Sequence, residues 1–229
     1  MTVAKKRKPP ESPRLSRDDW LDAAFQAVVD GGFDNVRVLT LASALGVTRG
    51  SFYWHFVDHA ELVAALLARW RERELATNRS VEGHTVEDPQ QDLQVVLEAA
   101  LAHAGAELEN MRFELALRGL GRRDAKVAKM LIEVDQLRLR LFEGKFLRLT
   151  NDARSAADLA ALFYLAIVGS NQALSRPSSP PQVKEYLRSI ITDYLIRRHA
   201  VVPTDDAPCA PRWAAPRKLA PQLVRAKVL

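Results

Sequence analysis

Apolar residues recur three and four positions apart along almost the whole of this 229-residue chain, and runs alternating with period two are few. That pattern predicts an all-α protein of about nine helices. A first helix starts at Ser16, whose hydroxyl can accept from the amide three residues on, and it turns Trp20, Leu21, Ala24, Phe25 and Val28 inward. Gly31 and Gly32 end it. A second short helix takes Val38 to Leu45 and breaks at Gly46, and a third, capped by Thr48, runs to about Phe56. Asp58 and Glu61 form a capping box for a fourth, which carries Leu62, Val63, Leu66, Leu67 and Trp70.

Between Arg71 and Asp88 the chain turns polar, which predicts a joint between two units. Pro89 suits the first turn of a fifth helix reaching about Glu109, and a sixth covers about Met111 to Leu120. The seventh keeps helical spacing from Val127 to Leu149, with Gly144 a candidate kink. An eighth, Ala153 to Leu174, is apolar on nearly all sides, and a ninth spans Val183 to about Arg198. The expected organisation is an arm over 1–15, an N-terminal unit over 16–72, a larger helical unit over 73–200 and an irregular proline-rich tail over 201–229.

Charge sharpens this picture. Lys5, Lys6, Arg7, Lys8, Arg14 and Arg17 face only Glu11 in the opening segment, which therefore carries the whole net charge of +5. Such an arm either touches nucleic acid or keeps the chain soluble. No apolar run follows "KKRK", so no secretory signal is expected. Leu159–Val168, the richest apolar segment, is about half of what a membrane span needs. The single cysteine, Cys209, leaves no internal disulfide or multi-cysteine metal site. A cytoplasmic location with no membrane partner is the expectation.

The stretch "LASALGVTRGSFYWHF" clusters rings around a glycine turn, and between Arg37 and Val57 the only charged residues are two arginines. At roughly 100° per residue, Phe52 and Phe56 define the inward side of the third helix, while Gly50 and Trp54 point away and Tyr53 and Ser51 flank them. Two short helices about a glycine, with an outer face free of carboxylates, describe a helix-turn-helix whose second helix enters the major groove.

This segment resembles the DNA-binding signature of the TetR family of transcriptional regulators, in its Ala-Leu-Gly turn and its aromatic-Tyr-x-His-Phe helix. The resemblance is close over Ser16 to about Trp70; beyond that it extends to the number and order of helices. It implies Thr48, Arg49 and Ser51 beside bases and nearby phosphates, Gly50 at close approach, Tyr53 and His55 on the phosphate backbone, and Trp54 against a thymine methyl or a sugar. Arg49 could pair with both guanine acceptors or only neutralise phosphate. The resemblance also implies a DNA contact from His59, which stands where the family usually has lysine and makes a weaker anchor because the helix dipole favours its neutral form; Arg37, where Thr or Ser often opens the second helix, could compensate by holding phosphate.

The resemblance also implies a C-terminal domain that binds a ligand and forms a homodimer. Inward candidates for a mainly hydrophobic effector are His103, Met111, Phe113, Met130, Phe142, Phe146, Phe163 and Asn171. Candidates for the dimer face are Leu162, Tyr164, Val183, Tyr186, Leu187, Ile190, Ile191 and Tyr194. The expected function is a repressor that binds a palindromic double-stranded DNA operator as a dimer and is released by a small molecule. An activator or a ligand-independent architectural DNA-binding protein stands beside it.

Catalysis is not expected, nor is a cofactor or metal. Glu133 and Asp135 diverge on one helix, "GLG" at Gly119–Gly121 follows a helix rather than a strand, and His84, Glu87 and Asp88 lack a second half-site. Ser51 and His55 belong to the groove helix.

Overall fold

The computed structural model describes residues 15–101, 106–174 and 181–199. Among them are nine α-helices: α1 Arg17–Gly31, α2 Val38–Ala44, α3 Arg49–Phe52, α4 His59–Gly83, α5 Pro89–Ala100, α6 Ala106–Gly121, α7 Ala125–Thr150, α8 Ala153–Leu174 and α9 Pro181–Ile190. No strand occurs among the described residues. The basic arm, save Leu15, and the proline-rich tail lie outside them.

Helix starts follow the caps read from sequence. The Asp19 amide donates to the Ser16 hydroxyl at 3.2 Å and the Ser16 amide returns to the Asp19 carboxylate at 2.6 Å. That backbone bond from Ser16 is the main reason the Asp19 carboxyl sits below its ordinary value. Asp58 accepts from the Glu61 amide at 2.8 Å, and the Glu61 carboxylate accepts from the Val57 amide at 2.7 Å. Pro89 opens α5 behind the Asp88 cap. Gly32 and Gly46, at φ 82° and 68°, adopt the left-handed conformation that stops α1 and turns the chain between α2 and α3.

Several features differ from the periodicity. The third helix is α-helical only to Phe52, because the Trp54 and His55 amides donate three residues back, to Ser51 and Phe52, and tighten Tyr53–His55 into a turn. Thr48 occupies the cap position without a side-chain bond. The fifth helix stops at Ala100, so Glu109 belongs to α6. After α9 the backbone widens into a π-helical turn over Ile191–Ile196, which turns both of those isoleucines into the core. Gly144 does not interrupt α7.

The largest departure is the polar stretch after Trp70. It is no linker: α4 continues unbroken to Gly83. Its polar side chains have partners on other helices, with Arg73 bonded to Asn110 of α6 and Glu74 to Arg138 of α7. The true link, His84–Asp88, is pinned to α7 by a buried cluster. Lys145 Nζ reaches both Asp92 oxygens at 2.9 Å, and Arg148 bridges Asp92 and the carbonyls of Val86 and Glu87.

Two cores result. One gathers Trp20, Val28, Leu41, Phe52, Phe56, Leu62 and Leu66 from α1–α4 and the turn after α3, together with Phe113 and Leu117 of α6 and Val127, Leu131 and Val134 of α7. Phe113 stacks on Phe25, centroids 5.0 Å apart, and meets Phe33 edge-on at 5.6 Å. The N-terminal unit is therefore seated on α6 and α7 through a continuous apolar contact. The second core packs α5, α7, α8 and the segment after α9 around Phe142, Phe146 and Phe163. Ala153–Gln172 of α8 is long and apolar enough to cross a membrane by length and composition, twice the run expected, but its inner face is the centre of this second core.

Removing the Phe113 ring should cost about 3–5 kcal/mol, because the core cannot close over the space. Urea unfolding of Phe113→Ala should show that loss in one cooperative transition followed by both near-ultraviolet and far-ultraviolet dichroism; two separated transitions would mean the units fold independently.

Candidate nucleic-acid interface

The turn at Gly46 sets α3 across the end of α2, with the Val47 amide donating to Ala42 at 2.9 Å. Phe52 and Phe56 are fully or nearly fully buried, stacked at 5.4 Å, and Phe52 meets Trp20 edge-on at 5.3 Å. With that face fixed inward, the other is turned to solvent. Trp54 is 88% exposed, Tyr53 50% and Val57 81%, and Leu39 of α2 is exposed as well. Leu39 and Val57 escaped the sequence reading, because an apolar residue in an amphipathic pattern is assigned to the core by default.

Thr48, Arg49 and Gly50 are exposed at the leading end of α3, and Ser51 and His55 are half-buried. Arg49 donates to the Tyr53 hydroxyl at 2.8 Å, its guanidinium 5.6 Å from that ring. A Cβ added at Gly50 would find only Thr48 Oγ1, at 3.6 Å, so nothing within the chain itself requires glycine there. Arg37 is exposed, its Nε held by the Asp34 carbonyl at 3.1 Å. Nearby carboxylates are engaged: Asp58 caps α4, and Glu61 pairs with Arg17 at 3.0 Å. Arg17 also donates to the His55 carbonyl and lies 4.4 Å over Phe56, joining the start of α1 to the end of the recognition segment.

His59 is exposed at the start of α4 and bonded within the chain. Its Nε2 donates to the Val36 carbonyl at 2.6 Å and clips the start of α4 to the residue before Arg37. One ring nitrogen is thus consumed by the protein, and only Nδ1 is left for another partner.

A cavity of about 470 Å³ lies between α4, α5, α6, α7 and α8. Three of the inward candidates, Met111, Phe142 and Asn171, line it. Phe113 and Met130 belong instead to the core beneath α1–α4, and Phe146 and Phe163 fill the second core without reaching the cavity. His103 lies outside the described residues. Of the dimer candidates, Leu162, Tyr186 and Tyr194 are exposed and Leu187 and Ile190 half-buried, while Tyr164 and Ile191 turn into the chain's own core. The side chain of Val183 lies outside the described residues.

The cavity wall carries charges that a search for apolar candidates passes over. Glu114 accepts from both Arg118 and Arg138, Arg138 also reaches Glu74, and Arg118 also reaches Asp135 and the Tyr164 hydroxyl. Burial pushes the Glu114 carboxyl up, but Arg138 and Arg118 outweigh it and hold it at about 2, against an ordinary 4.5. Burial, with the bond to Asp135, pushes the Tyr164 phenol up to about 12.

Residues 21–66, from α1 into α4, match the family model described as bacterial regulatory proteins, tetR family. Over this segment the chain matches the TetR family. Among curated relatives it is 35% identical over 83 residues to the HTH-type transcriptional regulator TtgR of Pseudomonas putida, a match covering 36% of this chain and 40% of that protein. It is 33% identical over 60 residues to AcrR of Shigella flexneri, 26% of this chain and 28% of that one. The chain thus spans well under half the length of the curated TetR-family relatives it matches. Two solved structures share the fold over most of both chains. A transcriptional regulator from Rhodococcus sp. Rha1 superposes with a TM-score of 0.68 at 20% identity, covering 82% of this chain and 100% of that one. A regulator from Saccharomonospora viridis in complex with choline gives 0.64 at 19%, covering 78% and 96%.

Glu114→Gln leaves two buried guanidiniums short of a counter-charge, so unfolding free energy at neutral pH should fall by about 3–5 kcal/mol. The native carboxyl titrates below the unfolded one, so its contribution is complete above pH 4.5 and fades as pH falls towards about 2. Urea titrations of both proteins across that window should converge at the acid end; a gap unchanged at low pH would contradict the pairing.

Proposed function

We propose that this protein is a transcriptional regulator that binds a palindromic DNA operator as a homodimer in the cytoplasm and is released by a small, mainly hydrophobic effector. The observation that carries the DNA reading is the outward presentation of Tyr53, Trp54 and Val57 from a base that buries Phe52 and Phe56. Groove entry needs that combination, because the reading surface must be free of the core while its backbone stays fixed.

In this reading Arg49 exchanges the Tyr53 hydroxyl for guanine O6 and N7, and the freed phenol turns to a phosphate. Trp54 and Val57 lie against sugars and thymine methyls, Arg37, Thr48, Ser51 and His55 contact nearby phosphates, and Gly50 lets the backbone come close. His59 orients Arg37 through its bond to Val36. The pair of recognition helices would sit about 34 Å apart in successive major grooves. Exposed Leu162, Tyr186 and Tyr194 supply an apolar face for the second copy.

The cavity is the proposed effector site, and α4 the route from it to the DNA, since this one helix starts at His59 beside the recognition segment and lines the cavity with Arg73, Glu74 and Thr77. The choline found in the Saccharomonospora viridis regulator supports a small-molecule occupant for such a fold. An effector acts only through unequal affinity for the DNA-competent and released geometries.

Selection of bound duplexes from a random pool should enrich one short palindrome. Against it, Arg49→Ala should lose about 1–3 kcal/mol and relax the preference at one base pair per half-site. Tyr53→Phe should weaken every sequence alike. Enrichment of no sequence, or an Arg49→Ala variant with unchanged preference, would refute the assignment.

A further inference from the structure

Glu114, Arg138 and Glu74 on the cavity wall are one end of a longer charged row that stops short. Asp135, Arg118, Glu114, Arg138 and Glu74 alternate in sign, each joined to the next by an ion pair of 2.6 to 2.8 Å. Three carboxylates against two guanidiniums leave the row one negative charge in excess. Its two ends are unlike. At Asp135 the row is closed, since Arg118 supplies two nitrogens and the Tyr164 hydroxyl donates to Oδ1. At Glu74 it is open. Oε2 accepts from Arg138, while Oε1 has no partner among the described residues, although the side chain is only 15% exposed and lines the cavity.

The neighbouring cation does not close this end. Arg73 donates to Asn110 and its guanidinium lies 5.5 Å from the centre of the Phe25 ring; it forms no ion pair with any described carboxylate, Glu74 included. Thr77, Asn78, Asn110 and Asn171 add uncharged polar groups to the lining, and most of the rest is apolar, with Phe142, Ile167 and Val168 on α7 and α8. A carboxylate lining such a chamber is less well solvated than one in open water, and the alternation calls for a positive charge in the next place.

We propose that the effector is an amphipathic cation, a protonated amine on an apolar body, which sets its ammonium against Glu74 Oε1 and its hydrocarbon against Phe142, Ile167 and Val168. This rests on the reading that the cavity is the effector site and adds the charge of its occupant. An anionic amphiphile would have only Arg73 to hold it, with Glu74 the adjacent residue on the same helix. The bound amine draws on the carboxylate that Arg138 also holds, so occupancy loads the joint between α4 and α7.

Octylammonium, octanol and octanoate differ chiefly in head-group charge and serve as probes by calorimetric titration of the full chain at neutral pH. Octylammonium should bind about tenfold or more tighter than the other two. Glu74→Gln, which keeps an acceptor for Arg138, should abolish that preference and leave octanol binding unchanged, whereas Arg73→Gln should preserve it. Octanoate binding best, or a preference for octylammonium that survives Glu74→Gln, would overturn the proposal. Equal binding of all three would overturn it while leaving the cavity as an effector site. Binding of none would overturn both.

Discussion

The stack of Phe113 on Phe25 is the contact on which the rest of the structure depends. Helices as short as α2 and α3 have no stability of their own, since nucleation costs more than one or two turns return. They persist because α1 and α4 hold them, and those helices share a core with α6 and α7. The aromatic junction thus makes the outward face of α3 a fixed surface, and Trp54 can stand in solvent while Phe52, two residues earlier, is fully buried.

The second constraint is polar. Buried ion pairs contribute little net stability against well-packed apolar residues, but removing one partner is expensive, so they fix an arrangement more than they strengthen it. Here they fix α4. Its Glu74 is tied to α7, Asp22 of α1 is tied to Arg69 of α4, and the link after α4 is clamped by Asp92, Lys145 and Arg148. The helix that starts beside α3 and lines the cavity is thus tied to its neighbours along its length.

Much of this was legible in the chain. Ser16, Gly46, Asp58 and Pro89 mark helix ends through local chemistry, and the sides of Phe52, Phe56 and Trp54 follow from helical geometry. What failed was whatever depends on distant partners. The run from Arg71 to Asp88 is polar in composition, yet Arg73 and Glu74 find Asn110 and Arg138 across the fold, and nothing local reveals that. Phe113 and Met130 have the inward, apolar character expected of cavity residues; whether they meet the cavity or a core depends on how α6 and α7 cross. Glu114, Arg118 and Arg138 read as surface charge until the helices are assembled. His59 shows the same limit at the interface, since nothing local foretells that its Nε2 is held by the Val36 carbonyl and that only Nδ1 is left for a phosphate.

The central claim is that a fixed, outward recognition segment is the surface that meets DNA. Amide hydrogen exchange of the full chain, with and without a duplex obtained by selection, tests it most directly. The account predicts new protection concentrated between Arg37 and His59, with the buried part of α4 already slow in the free protein. Protection confined to α5–α9, or free-state exchange in α3 as fast as in an unstructured peptide, would contradict it.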